Sequence, residues 1–230
     1  MKKNIIFCLC LFSITIQAQK KVETGIKVGL QMCRFQGVDF NWSPESAASS
    51  RASERLSTKT SPVFGYAIGG YVRTLEPTFL QAELMLSVKG AQIDQFLGNN
   101  TTKTTTTTIK YTQIDIPLSI GHRFNKIEVS GGPMFSVNVA EDGKLKTLLA
   151  NYSANPPQFS PFQTLTVGFH AGAGYGFGNK FVVNLRYMGS IQNVTAQSIY
   201  FKDPTIPVGQ RESSFKQRSG VWQLTVGYKL

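Results

Sequence analysis

Hydrophobic and polar residues alternate with a period of two along the end of the chain, Val221–Leu230. Successive side chains of a strand point to opposite sides, so this pattern predicts a strand with one apolar and one polar face. The apolar face consists of Trp222, Leu224, Val226, Tyr228 and Leu230. The polar face carries Gln, Thr, Gly and Lys, which suits a watery or polar-filled lumen better than a packed apolar core.

The same alternation recurs upstream and gives eight predicted strands in total. They are Thr24–Met32, Val63–Leu75, Leu80–Lys89, Ile109–Phe124, Lys126–Ala140, Thr164–Phe177, Phe181–Met188 and Val221–Leu230. Pro117 and Pro133 fall inside two of them, and we expect local kinks there because proline cannot donate to the ladder.

The connections alternate between long polar segments and short turns. The long ones are Gln36–Ser61, Asp94–Thr108, Glu141–Pro161 and Thr195–Lys216, all predicted as loops, although the threonine tract before Ile109 is also suited to extend a hairpin beyond the membrane. The short ones are Glu76-Pro77, Asn125 and the two-residue hairpin signal Gly178-Asn179. Short periplasmic turns and long outer loops are typical of outer-membrane barrels. We therefore predict an all-β fold, an eight-stranded antiparallel transmembrane β-barrel with long extracellular loops, short periplasmic turns and both termini in the periplasm.

Aromatic residues support this orientation. An interfacial aromatic girdle is expected where the barrel meets the periplasm. We predict that it contains Phe124, Phe177, Phe181, Tyr187 and Tyr228.

The first residues have the three-part pattern of an export signal. Lys2 and Lys3 precede the short apolar run Ile5–Ile16, and Ala18 offers a cleavage site. We therefore predict a cleaved signal peptide at residues 1–18 and a barrel domain at residues 19–230, exported to the outer membrane of a Gram-negative cell. With 41% hydrophobic and 16% charged residues among 230, the chain has no apolar run long enough for a spanning helix.

Cysteine content and charge exclude several functions. Cys33 is the single cysteine after residue 18, which rules out an intramolecular disulfide and multi-cysteine metal sites. Removal of Lys2 and Lys3 leaves 22 basic and 13 acidic residues, a formal charge of +9. No helical basic stripe accompanies this charge, so we expect envelope electrostatics rather than nucleic-acid binding, and neither metal nor cofactor.

Charged residues on the polar faces are predicted to meet inside the barrel. The predicted lumen network is Lys27, Arg73, Glu83, Lys89, Asp115, Arg123, Glu128 and Arg186, with Lys229 beside it. Because side chains fill an eight-stranded barrel, we favour a structural plug of salt bridges over an ion path.

Other functions remain open at this point. A lipid-modifying enzyme would need a base and a nucleophile in reach, and the candidates are His122, predicted to face lipid, and His170, predicted to face the lumen. A phosphate-binding glycine loop is followed by a helix, whereas strands are predicted on both sides of the glycine run Gly172, Gly174, Gly176 and Gly178. A small passive channel, or a soluble calyx with its apolar face inward, are the further alternatives.

The segments FLQAELMLSVKG (Phe79–Gly90) and YTQIDIPLSIGHRF (Tyr111–Phe124) resemble the porin-family, or PorT-like, outer-membrane β-barrel proteins. The resemblance lies in Glu83-Leu84, Lys89-Gly90 and the run Ile114–Leu118, where Asp115 stands in place of an expected Glu. It implies a small barrel in envelopes that use type IX secretion, without implying an open pore or a site residue.

The predicted function is an integral outer-membrane barrel with a structural or interaction role in the envelope and, by resemblance, an accessory role in protein secretion. Its expected partners are outer-membrane lipid and lipopolysaccharide, the barrel assembly machinery and secretion or envelope proteins. The apolar closing-strand positions, Trp222 to Leu230, are the predicted assembly signal.

Overall fold

The computed structural model describes residues 22–38, 41–42, 56–75, 77–97, 102–153, 158–200 and 212–230. Its strands are β1 (Val22–Val38), β2 (Asn41–Trp42), β3 (Leu56–Ser61), β4 (Val63–Thr74), β5 (Thr78–Leu97), β6 (Thr102–Phe124), β7 (Ile127–Glu141), β8 (Leu165–Phe177), β9 (Phe181–Ser190), β10 (Thr195–Tyr200) and β11 (Glu212–Lys229). One helix, α1 (Lys144–Tyr152), follows β7. The predicted signal peptide lies outside the described residues.

Eight strands close into a ring in the order β1, β4, β5, β6, β7, β8, β9 and β11, and every neighbouring pair is antiparallel. The ring closes between the first and the last strand, with Met32 opposite Trp222 and Ile26 opposite Tyr228. This arrangement confirms the predicted eight-stranded barrel and the pairing of its closing strand.

The apolar faces of the ring strands point outward. Along β1, Leu30 is 66% exposed whereas the next residue, Gln31, is 1% exposed. The same holds for Leu84 on β5 and Leu224 on β11, which are exposed beside buried Glu83 and Gln223. We call these outward apolar side chains the membrane belt. An apolar face on the outside contradicts the soluble calyx.

All four predicted loops contain regular structure. Parts of Gln36–Ser61 belong to β1, β2 and β3; Thr195–Lys216 contributes β10 and the start of β11; and Glu141–Pro161 contains α1. Residues 43–55, 154–157 and 201–211 of these loops lie outside the described part of the chain. The threonine tract prolongs β6, which confirms that it extends the β5–β6 hairpin.

The continuation of ring strands into predicted loops has one cause, which is visible on β1. Up to Met32 its outward residues are apolar, but from Cys33 onward the apolar residues, Cys33 and Phe35, point inward and Arg34 and Gln36 point outward. The strand continues through this reversal. A change of phase in the hydrophobic pattern was mistaken for the end of the strand.

The strands are accordingly longer than a membrane requires. β6 has 23 residues and β5 has 20, whereas about 9–11 residues span a bilayer as a tilted strand. The parts beyond the belt form what we call the outer extension. It comprises the residues of β1 after Met32, of β5 after Val88, of β6 before Thr112 and of β11 before Trp222. Strands β2, β3 and β10 and helix α1 also belong to it.

At the opposite end, the turns are short. Asn125 and Lys126 connect β6 to β7, and Gly178–Lys180 connect β8 to β9, with Phe177 opposite Phe181. This second loop has three residues rather than the predicted two. Asn125 and Gly178 take positive φ angles of 57° and 56°, which these residue types tolerate. In the third predicted turn, Glu76 lies outside the described residues.

Pro117 and Pro133 each lie in a gap of one ladder, on the β5 side of β6 and on the β6 side of β7. Pairing with β5 stops at Leu118 and resumes at Asp115, and pairing with β7 stops at Pro117 and resumes at Ile120. Pro133 stays within the register of β7 and β8, opposite Phe169. The irregularities expected at Pro117 and Pro133 are therefore present as local gaps in pairing.

Candidate functional site

The lumen of the membrane-spanning half is filled by paired charges. Four buried cations, Lys27, Arg73, Lys89 and Arg186, face four buried carboxylates. These carboxylates are Glu23, Glu83, Asp115 and Glu128. Equal numbers of opposite charges leave this part of the lumen formally neutral, which is the condition for burying them together.

Glu83 is the centre of this network. Its Oε1 accepts hydrogen bonds from Lys27 Nζ at 2.8 Å and Gln81 Nε2 at 2.6 Å, and its Oε2 accepts one from Arg186 NH1 at 2.8 Å. Arg186 Nε donates in turn to Gln223 Oε1 at 2.6 Å. One carboxylate thus holds two cations, Lys27 from β1 and Arg186 from β9, the strand opposite β5 in the ring.

The periplasmic end of the lumen has a second group of ion pairs. Arg73 lies 2.6 Å from Glu23 and 2.9 Å from Glu128. Arg123 approaches Glu128 at 3.6 Å, and Lys229 approaches Glu23 at 3.3 Å. Arg123 and Lys229 are partly exposed, so they form the periplasmic rim of the network.

A third group lies toward the outer side. Lys89 Nζ donates to Asp115 Oδ1 at 2.8 Å and to Gln113 Oε1 at 3.0 Å, and Ser136 Oγ donates to the same Asp115 oxygen at 2.6 Å. The structure therefore brings all eight residues of the predicted network into ion pairs. Sequence analysis missed Glu23, because the first strand was taken to begin at Thr24.

Above these charges the interior becomes apolar. Along the inner face of β1 the residues change from Glu23 and Lys27 to Gln31 and then to Cys33 and Phe35. Phe35 is completely buried, with its ring centroid 6.1 Å from Tyr111 and 6.3 Å from Phe162. The outer core that they join also contains Ala91, Ile93, Ile109, Leu145, Leu148, Leu149, Val194 and Phe215.

Helix α1 supplies the leucines of this outer core. The helix packs against β6 and β10. Asp142 Oδ1 accepts a hydrogen bond from the Lys144 amide at 3.1 Å at its start. Leu145, Leu148 and Leu149 lie three and four residues apart, so they share one face of the helix, and they are buried. The predicted Glu141–Pro161 loop thus helps to fill the outer core.

Between the charges and the outer core, little space remains. A cavity of about 10 Å³ is lined by Lys89, Gln113, Met134, Met188 and Val221, among others. Such a volume is at the lower limit for one water molecule. The described residues therefore form a lumen that is closed at two levels.

The two histidines occupy the faces predicted for them, His170 in the lumen and His122 on the outside. His170 is buried, and its Nε2 lies 3.4 Å from Ser119 Oγ and 3.3 Å from the Leu118 carbonyl oxygen. His122 Nδ1 lies 2.8 Å from Thr78 Oγ1 on the outer face. Within the described ranges no carboxylate is hydrogen-bonded to either ring, and no group of three or more His, Cys, Asp or Glu residues is arranged to bind a metal.

Aromatic residues form two groups on the outside. At the short turns, Phe181 and Tyr228 lie 5.3 Å apart and Tyr175 and Phe177 lie 4.8 Å apart, measured between ring centroids. Tyr187, by contrast, contacts Trp222 at 5.2 Å, at the outer edge of the belt. The prediction that Tyr187 belongs to the periplasmic girdle was wrong, because it lies six residues along β9 from the turn.

The closing-strand residues are placed on the outside of the barrel. Trp222, Leu224, Val226 and Leu230 are exposed, and Tyr228 is half-buried. Their predicted part in assembly stays a prediction. None of the helical residues described forms a segment long and apolar enough to cross a membrane.

Three solved structures align with most of this chain, and two of them, OprG and AlkL, are outer membrane proteins. Ail of Yersinia pestis, solved with the heparin analogue sucrose octasulfate, is 10% identical and aligns with a TM-score of 0.43 over 91% of this chain and 99% of its own. OprG of Pseudomonas aeruginosa is 13% identical, with a TM-score of 0.45 over 92% and 98%. AlkL, solved in lipid bilayers, is 9% identical, with a TM-score of 0.48 over 92% of each chain. Similarities of this size say nothing about activity or ligands.

The family assignment rests on the sequence. No curated protein matches the chain significantly. The family model described as outer membrane protein beta-barrel domain matches residues 17–196, which is more than half of the chain. The barrel is therefore a member of the outer membrane protein β-barrel domain family, and its location is the outer membrane.

Proposed function

We propose that this protein is a closed, non-enzymatic interaction barrel that acts through the outer surface of its extension and loops. The observation that carries this proposal is the closure of the lumen at two levels. Ion pairs centred on Glu83 fill the membrane-spanning half, and the outer core around Phe35 fills the extension. A barrel without a continuous water path is suited to presenting loops on a rigid scaffold.

Three observations argue against the alternatives. A passive channel needs a polar route through the interior, but the space between the two layers is about 10 Å³. An enzyme of the predicted kind needs a free base, but His170 Nε2 lies 3.3 Å from the Leu118 carbonyl oxygen, which can only accept, so in this contact the nitrogen carries a proton and cannot take one from Ser119. Glu83, a buried carboxylate of the lumen, uses both oxygens to hold Lys27 and Arg186.

The PorT-like resemblance makes protein secretion the process to test first. We propose an accessory role in export, in which the extension contacts secretion or envelope proteins. A strain without this gene is compared with the same strain carrying the wild-type gene or the Leu30→Ala variant, a lipid-facing change that leaves the extension unaltered. Cargo is quantified in the periplasm and medium by mass spectrometry.

Secreted cargo should accumulate in the periplasm of the deletion strain, and both complemented strains should export it normally. Unchanged export would rule out the secretion role. In parallel, purified protein in planar bilayers should show no conductance steps. Steady conductance would contradict the closed barrel, and a lipid A mass spectrum altered by the deletion would support the lipid-modifying enzyme instead.

A further inference from the structure

A cluster of cations lies on the outward face of the outer extension, where β1 pairs with β11. Arg34, Lys216 and Arg218 are all exposed on this face. Arg34 is opposite Gly220, and Arg218 is opposite Gln36, so the two guanidinium groups project from diagonally related positions. In the described part of the chain no carboxylate lies within ion-pair distance of any of the three.

Gly220 opens a gap in the middle of this cluster. A Cβ atom at this position would overlap the side-chain amide of Gln36, so the absence of a side chain leaves room for that amide. Gln36 Nε2 reaches across the gap and donates to the Tyr187 hydroxyl at 3.4 Å. The Gln36 amide and the Tyr187 hydroxyl thus lie over Gly220, between the positions of Arg34 and Arg218.

The cluster lies directly above the membrane belt. Trp222, two residues from Gly220 on the same face, is 51% exposed, and its ring centroid is 5.2 Å from that of Tyr187. Met32 is opposite Trp222 and is also exposed. Tryptophan and tyrosine at this level mark the boundary between acyl chains and headgroups. Arg34 and Arg218 are therefore at headgroup height on the outer side of the membrane.

We propose that this surface, which we call the Gly220 site, binds a phosphorylated glycolipid of the outer leaflet. Arg34 and Arg218 bind a phosphate, while the Gln36 amide and the Tyr187 hydroxyl hydrogen-bond to the sugar. Acyl chains lie along Trp222 and Met32, and Lys216 meets anionic groups farther from the membrane. Continuity with the apolar belt favours an anionic amphiphile over a soluble anion. The site is on the wall of the barrel and does not depend on the proposed role in secretion.

Two matched double variants test the site. Arg34→Gln with Arg218→Gln removes two cations from the Gly220 site, and Lys59→Gln with Lys110→Gln removes two exposed cations of the extension on other strands, β3 and β6. The full mature protein is folded in detergent micelles, and its folding is checked by heat-dependent gel mobility. Fluorescently labelled bisphosphorylated lipid A is then titrated by anisotropy.

The Arg34/Arg218 variant should bind lipid A about 25-fold more weakly, since each cation near an anionic lipid contributes about a factor of five. The Lys59/Lys110 control should change binding less than about twofold on the same basis. Equal binding by wild type and the Arg34/Arg218 variant, or an equal loss in the control, would overturn the proposal.

Two further experiments leave the charge of the protein unchanged. The conservative pair Arg34→Lys with Arg218→Lys should keep most of the affinity, and dephosphorylated lipid A should bind wild-type protein as weakly as bisphosphorylated lipid A binds the Arg34/Arg218 variant. Inorganic phosphate and glucosamine phosphate are added as soluble competitors. Effective competition by either at low millimolar concentration would show a site for soluble anions and would overturn the assignment to a glycolipid.

Discussion

The membrane-spanning half and the outer extension are built from the same strands with opposite polarity. On β1, Lys27 and Gln31 point inward and Val28 and Leu30 point outward, whereas farther along the strand Phe35 points inward. The lumen of the first half is held by ion pairs, and that of the second by an aromatic and leucine core. The same strands therefore run from a half with a polar interior and an apolar exterior to a half with an apolar interior.

The difference follows from the solvent outside each half. In the membrane, lipid covers the apolar side chains, so the inward positions carry groups that must pair with one another. In the extension, water surrounds the strands, and the hydrophobic effect favours apolar residues inside. The level at which β1 changes phase, between Met32 and Cys33, consequently marks the outer boundary of the membrane.

The strongest test of this contrast is Glu83→Gln. The substitution leaves Lys27 and Arg186 in the lumen without a charged partner, and removing one member of a buried ion pair costs about 3–5 kcal/mol. The free energy of unfolding, measured by urea titration in phosphatidylcholine vesicles, should fall by that amount. The control, Asp142→Asn at a partly exposed pair with Lys144, should cost about 1 kcal/mol or less. A loss equally small at Glu83 would mean that water solvates the lumen.

A second test compares the interiors. Phe35→Ala should destabilise the extension by about 3–5 kcal/mol because it leaves a cavity in a closed core. Leu30→Ala, five residues earlier on the same strand, faces lipid that can fill the vacated volume and should cost much less. Limited trypsin digestion should cleave the extension faster in the Phe35 variant and leave the Leu30 variant unchanged. Equal protection of both variants would argue that the extension has no packed core of its own.

A third test compares the exteriors. Val28→Arg places a charge within the membrane belt and should reduce stability by about 2–4 kcal/mol if Val28 lies near the midplane. Gln36→Arg, on the same face of the same strand but above the belt, should change stability by about 0.5 kcal/mol or less, as surface substitutions do. Urea unfolding in vesicles measures both. Similar costs at the two positions would place the membrane boundary elsewhere.

The smallest expected effect is a pH dependence in the extension. Asp94 accepts hydrogen bonds from Gln92 and Thr106 at 3.0 and 2.9 Å and pairs with Lys103 at 2.7 Å. Burial acts to raise the pKa of Asp94, but the bonds from Lys103, Thr106 and Gln92 together hold it below its ordinary value.

A lowered folded-state pKa means that this carboxylate stabilises the protein above its unfolded pKa of about 3.9 and loses that effect as the pH falls through the folded value. Asp94→Asn should therefore cost about 1 kcal/mol or less at pH 7, since Lys103 is largely exposed. The difference from wild type, measured by urea unfolding, should shrink as the pH falls below the unfolded pKa and vanish below the folded pKa. A difference that does not shrink as the pH falls would mean that packing, rather than charge, causes the loss of stability.

Sequence periodicity predicted the ring strands well where the same surroundings, lipid or water, cover the outer face along the whole strand. Strands β4, β8 and β9 were placed within a few residues, and the inward charges from Lys27 to Arg186 were all assigned to the correct face. It failed where the solvent changed along a strand, as at Cys33, and where a helix was hidden in a loop, as at Leu145–Leu149. A nine-residue helix is too short to give a secure periodic signal by itself.

The order of polar and apolar residues by itself determined the number of ring strands, the lipid-facing side and the short-turn end, because these depend on local alternation and turn chemistry. Only the tertiary structure decided that Glu83 holds Lys27 and Arg186, that α1 contributes to the outer core, and that Arg34 and Arg218 lie at diagonal positions of the β1–β11 ladder. Partners that are distant in sequence are brought together by strand register and barrel closure. Local sequence patterns contain no information on either.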